Sequence, residues 1–140
     1  MDCERWNKKR LVFAQFATDL ASLSSCKRAQ VGAVVFPRDF SEVVAIGYNG
    51  PPRGLSHDRC NGEPGRCGCV HAEANAIAKL STRETDLVML CTTSPCVQCA
   101  SLIINCGRIA VVDYITAYRD VYGLNTLFQA GIVVCQVEMP

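Results

Sequence analysis

No stretch of this sequence stays apolar for the roughly 18 residues that a membrane-spanning helix requires. Residues 11–23, the most apolar part of the N-terminal region, are interrupted by Gln15 and Asp19, and residues 1–10 carry charges of both signs. No secretory pattern is present either, so neither a membrane nor export is expected. An excess of one charge is also missing: 14 Lys and Arg against 13 Asp and Glu leave a formal net charge of +1. A protein that tracks a long nucleic acid needs a basic stripe, so small ligands are favoured over nucleic acid. Charged residues make up only 19% and hydrophobic ones 49%, which argues against disorder. With 140 residues the chain is long enough for one substantial core, and a single domain over 1–140 is expected.

Cysteine, by contrast, is abundant, at ten residues. In an exported chain this number would suggest a disulfide framework. Without an export signal it points to a reducing cytoplasm, with thiols that bind metal or pack in the core.

Residues 4–22 read as an amphipathic helix, with Phe13, Phe16, Ala17, Leu20 and Leu23 on its apolar side. Two β-branched runs, 30–36 and 43–48, lie close enough to form a hairpin through 38–42. Residues 49–69 are rich in Gly, Pro, Arg and Cys without apolar periodicity; so long a loop in a compact domain implies a function or a metal staple. Helix is expected over 70–80, 95–105 and 120–130, and strand over 87–91, 109–114 and 132–137. Ser94 is the expected N-cap of the middle helix, with Pro95 at its first position. Helices between the last three strands imply parallel pairing, and the hairpin makes the sheet mixed. The expected fold is a three-layer α/β/α sandwich with a five-stranded mixed sheet.

Two short stretches carry the chemistry: Val70-His71-Ala72-Glu73 and Ser94-Pro95-Cys96-Val97-Gln98-Cys99. Cys96 and Cys99, three apart, share one helix face, and Cys96 in the first turn has N–H groups that favour thiolate. His71 completes three ligands, and three ligands with an open position are the pattern of catalytic rather than structural zinc. His71 and Glu73 are two apart, on opposite sides of a regular helix, so an ion near both must lie off the helix N-terminus. Glu73 is then left uncoordinated, free to move protons as a general base and acid. Alone, P-C-x-x-C would suit a redox pair or half a zinc finger, and His followed by Glu says little. Together they form the H-x-E…P-C-x-x-C signature of zinc nucleobase deaminases, which assigns hydrolytic deamination.

The chain resembles the deoxycytidylate deaminases of the cytidine-deaminase superfamily over about residues 25–137. Three features beyond the zinc motifs carry the resemblance: Cys26 to Ala33 as C-x-x-x-x-V-G-A, Gly47 to Gly54 as G-Y-N-G-x-P-x-G, and His71 to Ile77 as H-A-E-x-N-A-I. Tyr118-Arg119-Asp120 is a weaker echo. The resemblance implies a cytidine-deaminase-like fold, a catalytic Zn2+ on His71, Cys96 and Cys99 with Glu73 as the proton shuttle, and conversion of dCMP to dUMP for thymidylate synthesis. It further implies that Asn49 contacts the sugar hydroxyl and that Arg28 and Tyr118 reach the 5′-phosphate. The Ala72 N–H and the Ser94 carbonyl would hold the pyrimidine edge. Read without the resemblance, Arg28 is a solvated charge and Asn49 a turn residue tolerating left-handed backbone before Gly50.

Some relatives carry a second, structural zinc, for which Cys26, Cys60, Cys67 and Cys69 are the candidates here, with His57 as a substitute ligand. Cys91, Cys106 and Cys135 sit in apolar contexts and are expected in the core. The resemblance also implies a homo-oligomer, from dimer to hexamer, with dCTP and dTTP as candidate effectors. Lys79 and Thr82 stand where an aromatic and an arginine are usual, a departure that bears on regulation. Competing readings are a deaminase of dCTP or 5-modified dCMP, a nucleic-acid cytosine or adenosine deaminase, and a zinc-binding module without activity.

Overall fold

A computed structural model describes residues 3–140. The chain runs α1 (Cys3–Ala21), β1 (Gly32–Pro37), β2 (Ala45–Tyr48), α2 (Ala72–Lys79), β3 (Leu87–Thr93), α3 (Val97–Cys106), β4 (Ile109–Thr116), α4 (Tyr122–Gln129) and β5 (Val133–Gln136). The five strands form one sheet in the order β2-β1-β3-β4-β5. β1 is antiparallel to both β2 and β3, whereas β3, β4 and β5 are parallel. The expected mixed five-stranded α/β sheet is therefore present.

Strand alternation builds the layers. On β1, Val34 and Phe36 face α1, while Ala33 and Val35 join the core under the other three helices. On β3, Val88 and Leu90 take the α1 side and Leu87, Met89 and Cys91 the opposite one. Both faces of the central strands are thus buried, which is why they read as continuous apolar runs. α1 contributes Ala14, Ala17 and Leu20, and its Phe13 packs edge-on against Phe36 and Phe40, with centroids 4.7 and 5.1 Å away. Phe16 and Leu23, expected on this face, are 38% and 60% exposed. At 100° per residue Phe16 lies about a quarter-turn from Ala17, off the buried stripe, and Leu23 lies beyond the end of the helix.

The polarity of the strands gathers their ends. The C-termini of β2, β3 and β4 and the approach to β1 lie at one edge of the sheet, where α2 and α3 begin. This is where ligands bind in open α/β folds. Contact between α2 and β2 is unusually close. A Cβ on Gly47 would stand 2.2 Å from the Ala72 carbonyl oxygen, and the Asn75 side chain donates to the Tyr48 carbonyl at 2.9 Å. Gly47→Ala is expected to push the start of α2 off the sheet, costing about 1–3 kcal/mol. Since Ala72 lies between His71 and Glu73, the shift should also lower turnover by about 10²-fold, a typical effect of an ångström-scale misplacement. Parallel thermal melts and rate measurements check both effects; an unchanged rate in a folded variant would contradict the positioning argument.

Candidate active site

His71 and Cys96 both occupy N-cap positions, of α2 and α3 respectively. The middle helix therefore starts later than the sequence suggested, at Val97 rather than Pro95. Ser94 lies two residues before the cap, and its hydroxyl accepts a hydrogen bond from the Tyr118 amide at 2.7 Å instead. The cap falls to Cys96, whose carbonyl accepts from the Ala100 amide at 2.8 Å. This start is also pinned by α4: a Cβ on Gly123 would lie 2.0 Å from the Pro95 carbonyl oxygen.

The result places His71 Nδ1 at 3.3 Å from Cys99 Sγ and 3.6 Å from Cys96 Sγ. Tetrahedral zinc with Zn–N of about 2.05 Å and Zn–S of about 2.3 Å requires N···S separations near 3.5 Å, so this donor set fits the ion. The metal would be held by Nδ1, a detail the sequence could not give. One thiol of the pair is polarised toward such a role, and its charge holds the proton on the other, Cys99. The Cys99 thiol and then His71 bring Cys96 down to about 3, and Cys96 in turn raises the imidazole of His71. Glu73, 5% exposed in the first turn of α2, has its carboxyl raised by burial.

A single cleft is lined by Arg28, Asn49, His71, Ala72, Glu73, Ser94, Cys96 and Tyr118. All five residues expected to contact substrate are therefore gathered around the zinc motifs. Thr93, Ala29 and Val31 complete the wall and went unnoticed in the sequence; their only signal was their place beside Ser94 and at the entry to a strand. Asn49 is not in the left-handed region, so the simple turn reading fails. Its side chain accepts from the Val31 amide and donates to the Ala29 carbonyl, both at 2.8 Å, fixing the cleft wall. One N–H and one lone pair of the amide are left over. Arg28 is not a solvated charge: its Nε is buried without a partner.

The long loop closes on itself through paired bonds between Gly50 and Val70, of 3.2 and 2.7 Å. Within it, Cys60, Cys67 and Cys69 turn back to Cys26, all four sulfurs lying within 4.8 Å of one another. Cys26 Sγ is 3.9 Å from Cys67 Sγ and 3.8 Å from Cys60 Sγ. These separations are far too long for disulfides and match the roughly 3.8 Å between sulfurs around tetrahedral zinc. The Lys27 amide lowers Cys60 to about 6, while burial and the neighbouring thiols raise Cys69. His57 stays outside the four-thiol group, bonded through Nδ1 to Ser25 Oγ at 2.6 Å. Of the thiols expected in the core, Cys91 is fully buried, Cys106 half-buried and Cys135 exposed, because no helix covers β5 on the α1 side.

A model of the cytidine and deoxycytidylate deaminase zinc-binding region matches residues 7–116. The chain belongs to this family. It is 36% identical to the deoxycytidylate deaminase of Saccharomyces cerevisiae, aligning over 89% of the chain and 43% of that protein. The deoxycytidylate deaminase of Mycobacterium phage D29 is 38% identical, over 71% of the chain and 89% of the phage protein. The chain thus spans less than half the length of its yeast relative and most of its phage relative. Among solved structures, the dCMP deaminase of cyanophage S-TIM5 in complex with dCMP and dUMP superposes with a TM-score of 0.83. That pair is 31% identical, over 97% of this chain and 98% of the other.

Proposed function

We propose that this chain is a zinc-dependent deaminase that converts dCMP and water to dUMP and ammonia. The observation that carries the reading is the cleft itself. A buried, uncoordinated Glu73 faces the same space as the His71 and Cys96 ligands, with Arg28, its buried Nε lacking a partner, on the wall. Its likeness to the cyanophage protein crystallised with dCMP and dUMP supports the substrate class. Zinc, when bound, supplies Lewis acidity that brings the pKa of water from about 15.7 toward about 7.

The remaining work falls to side chains. Glu73 takes a proton from the attacking water and passes it to the ring nitrogen, activating the carbon that bears the amino group. After the C–O bond forms, Glu73 takes the remaining proton from the new hydroxyl and hands it to the amino group; the C–N bond breaks, ammonia leaves and the C–O bond becomes the carbonyl. The raised carboxyl of Glu73 suits both directions of transfer. The Ala72 N–H and Ser94 carbonyl orient the pyrimidine edge. The spare hydrogen-bonding capacity of Asn49 serves the sugar, and Arg28 and Tyr118 receive the 5′-phosphate. A zinc-binding module without activity would have no use for Glu73, and the charge balance disfavours a polynucleotide substrate.

The proposal extends to a second, structural zinc on Cys26, Cys60, Cys67 and Cys69, supported by their tetrahedral spacing. Free thiols throughout fit a reducing cytoplasm. Among the described residues no helix is long and apolar enough to cross a membrane. Exposed Val97, Leu102, Tyr122 and Phe128 on α3 and α4 offer a surface for self-association. Any response to dCTP or dTTP would differ from the pattern of relatives near Lys79, whose ammonium lies 5.9 Å from the Tyr48 ring centroid.

Ammonia release from dCMP, deoxycytidine, dCTP and a single-stranded oligonucleotide is the deciding assay. Turnover is expected to be greatest with dCMP. Preference for dCTP would move the reading to a triphosphate deaminase, and no turnover of any substrate by zinc-loaded protein would end it.

A further inference from the structure

The two halves of the zinc site hang on different parts of the fold. His71 opens α2, which rests on β2 through Gly47. Cys96 and Cys99 open α3, which α4 supports. The stretch Ser94-Pro95-Cys96 is gripped at both ends by residues 116–123. The Ser94 amide donates to the Thr116 carbonyl at 2.9 Å, and its buried hydroxyl accepts from the Tyr118 amide at 2.7 Å. Further along, Gly123 lies buried against Pro95 and Cys96. A Cβ on it would stand 2.0 Å from the Pro95 carbonyl oxygen, 2.9 Å from the Cys96 carbonyl carbon and 3.0 Å from the Cys96 oxygen. That Cys96 oxygen accepts the first hydrogen bond of α3, from the Ala100 amide at 2.8 Å. Behind Gly123, α4 is anchored in the core by the fully buried Leu127.

We infer that Gly123 and the Ser94 hydroxyl are positioning groups for the metal ligand Cys96. Together they fix where α3 begins, and hence how far the Cys96 sulfur stands from His71 Nδ1, a donor on a helix that is seated elsewhere. This rests on the deaminase reading given above and deepens it. The Gly123 backbone is helical rather than left-handed, so its conformation does not call for glycine. Glycine also weakens a helix relative to alanine. Its presence in the first turn of α4 answers to the contact with Pro95 and Cys96, which leaves no room for a side chain. The metal site tolerates little drift, since the nitrogen–sulfur separations of 3.3 and 3.6 Å lie close to those around tetrahedral zinc.

Ser94 supplies the second grip and ties it to the substrate cleft. Its hydroxyl is bound to the backbone of Tyr118, which lines the same cleft as Cys96. A shift of Cys96 therefore carries the nearby Ser94 carbonyl with it. Asn49 and Arg28 belong to the segments flanking β2 and β1, away from α4 in the chain. The expected signature of a disturbed grip is loss of metal geometry and turnover, with a smaller loss of nucleotide binding.

Three measurements test the inference: the visible bands of cobalt(II)-substituted protein, zinc affinity by competition with a chelator, and the split between kcat and KM for dCMP. Gly123→Ala is expected to alter the cobalt bands and to weaken zinc about 10- to 100-fold. Its kcat should fall about 10²-fold with little change in KM. Ser94→Ala removes one oxygen from a buried site and should move the same quantities in the same direction, by about 10-fold. Gly47→Ala, which disturbs the other half of the site, should also alter the bands. Gly32→Ala is the control: its Cβ would stand 2.1 Å from the Ala17 carbonyl oxygen, an equal clash placed against α1. It should melt at a lower temperature while keeping the wild-type cobalt spectrum. The four-cysteine group adds bands of its own, but none of the substituted residues belongs to it, so changes are read as differences from wild type. If Gly123→Ala does not fold, Ser94→Ala decides. A folded Gly123→Ala or Ser94→Ala with wild-type bands and zinc affinity, or a Gly32→Ala that shifts them as far, would overturn the inference. The metal readouts need no substrate, so wild-type protein that binds zinc but deaminates nothing would sink the deaminase reading alone.

Discussion

Glu73→Gln is expected to lower ammonia release from dCMP by about 10²- to 10⁴-fold, the range that a positioned general acid and base contributes. Zinc content should not change. The change is nearly isosteric and removes only the capacity to carry a proton, so it separates chemistry from structure. Glu73 lies in the first turn of α2 and is 5% exposed. An ionised carboxylate there is disfavoured by burial, which raises its carboxyl above the ordinary range. Glutamine removes that desolvation penalty, so the variant should be at least as stable as the parent. The ligand atoms His71 Nδ1, Cys96 Sγ and Cys99 Sγ belong to other positions, and their spacing of 3.3–3.6 Å does not depend on Glu73. A folded variant with full zinc and near-normal turnover would remove Glu73 from the proton path. A variant that loses zinc would instead make Glu73 a ligand.

The site was largely legible in the sequence because its signals are local. His71 and Glu73 are separated by one residue, Cys96 and Cys99 by two, and each pair opens a helix. What could not be read was how loops and elements meet. Ser94 has the chemistry of an N-cap, but the Tyr118 amide, 24 residues away, takes its hydroxyl. Asn49 reads as a turn residue because propensity sees only its neighbours; its amide instead ties the approach to β1 across 18 and 20 residues. The helical period was right for α1 yet placed Phe16 at the edge of the stripe, where a quarter-turn decides burial. Cys135 looked like core because Val133, Val134 and Val137 surround it, and only sheet order reveals that β5 is an edge with one bare face. The convergence of Cys26 on Cys60 and Cys67, across 34 and 41 residues, has no local signal and was expected only through the family resemblance.

Least visible of all was the pairing of Arg10 with Asp113, 103 residues apart, and removing one partner should have the largest effect on stability. Arg10 Nε and Nη2 bind the two carboxylate oxygens at 3.1 and 3.0 Å. The side chains are only 12% and 5% exposed, and the pair joins α1 to the middle of β4. Trp6, with its ring centroid 5.1 Å from the guanidinium carbon, covers one face of Arg10. Burial holds the Asp113 carboxyl above its usual range even with the guanidinium alongside. Arg10→Met leaves that carboxylate desolvated and uncompensated, which should cost about 3–5 kcal/mol. The pH dependence has a definite sign. With its pKa raised in the folded state, Asp113 binds a proton more tightly there than in the unfolded chain, so stability falls as pH rises through the folded pKa. Loss of Arg10 raises that pKa further, so the penalty should be greatest at neutral pH and shrink in acid, where the carboxyl is neutral. Replacing both residues by apolar ones, Arg10→Met with Asp113→Leu, should recover much of the loss because no buried charge remains. Denaturant unfolding of the three variants at pH 7 and near pH 5 measures this. A double variant no more stable than Arg10→Met, or a penalty that grows in acid, would show that packing rather than charge holds α1 to the sheet.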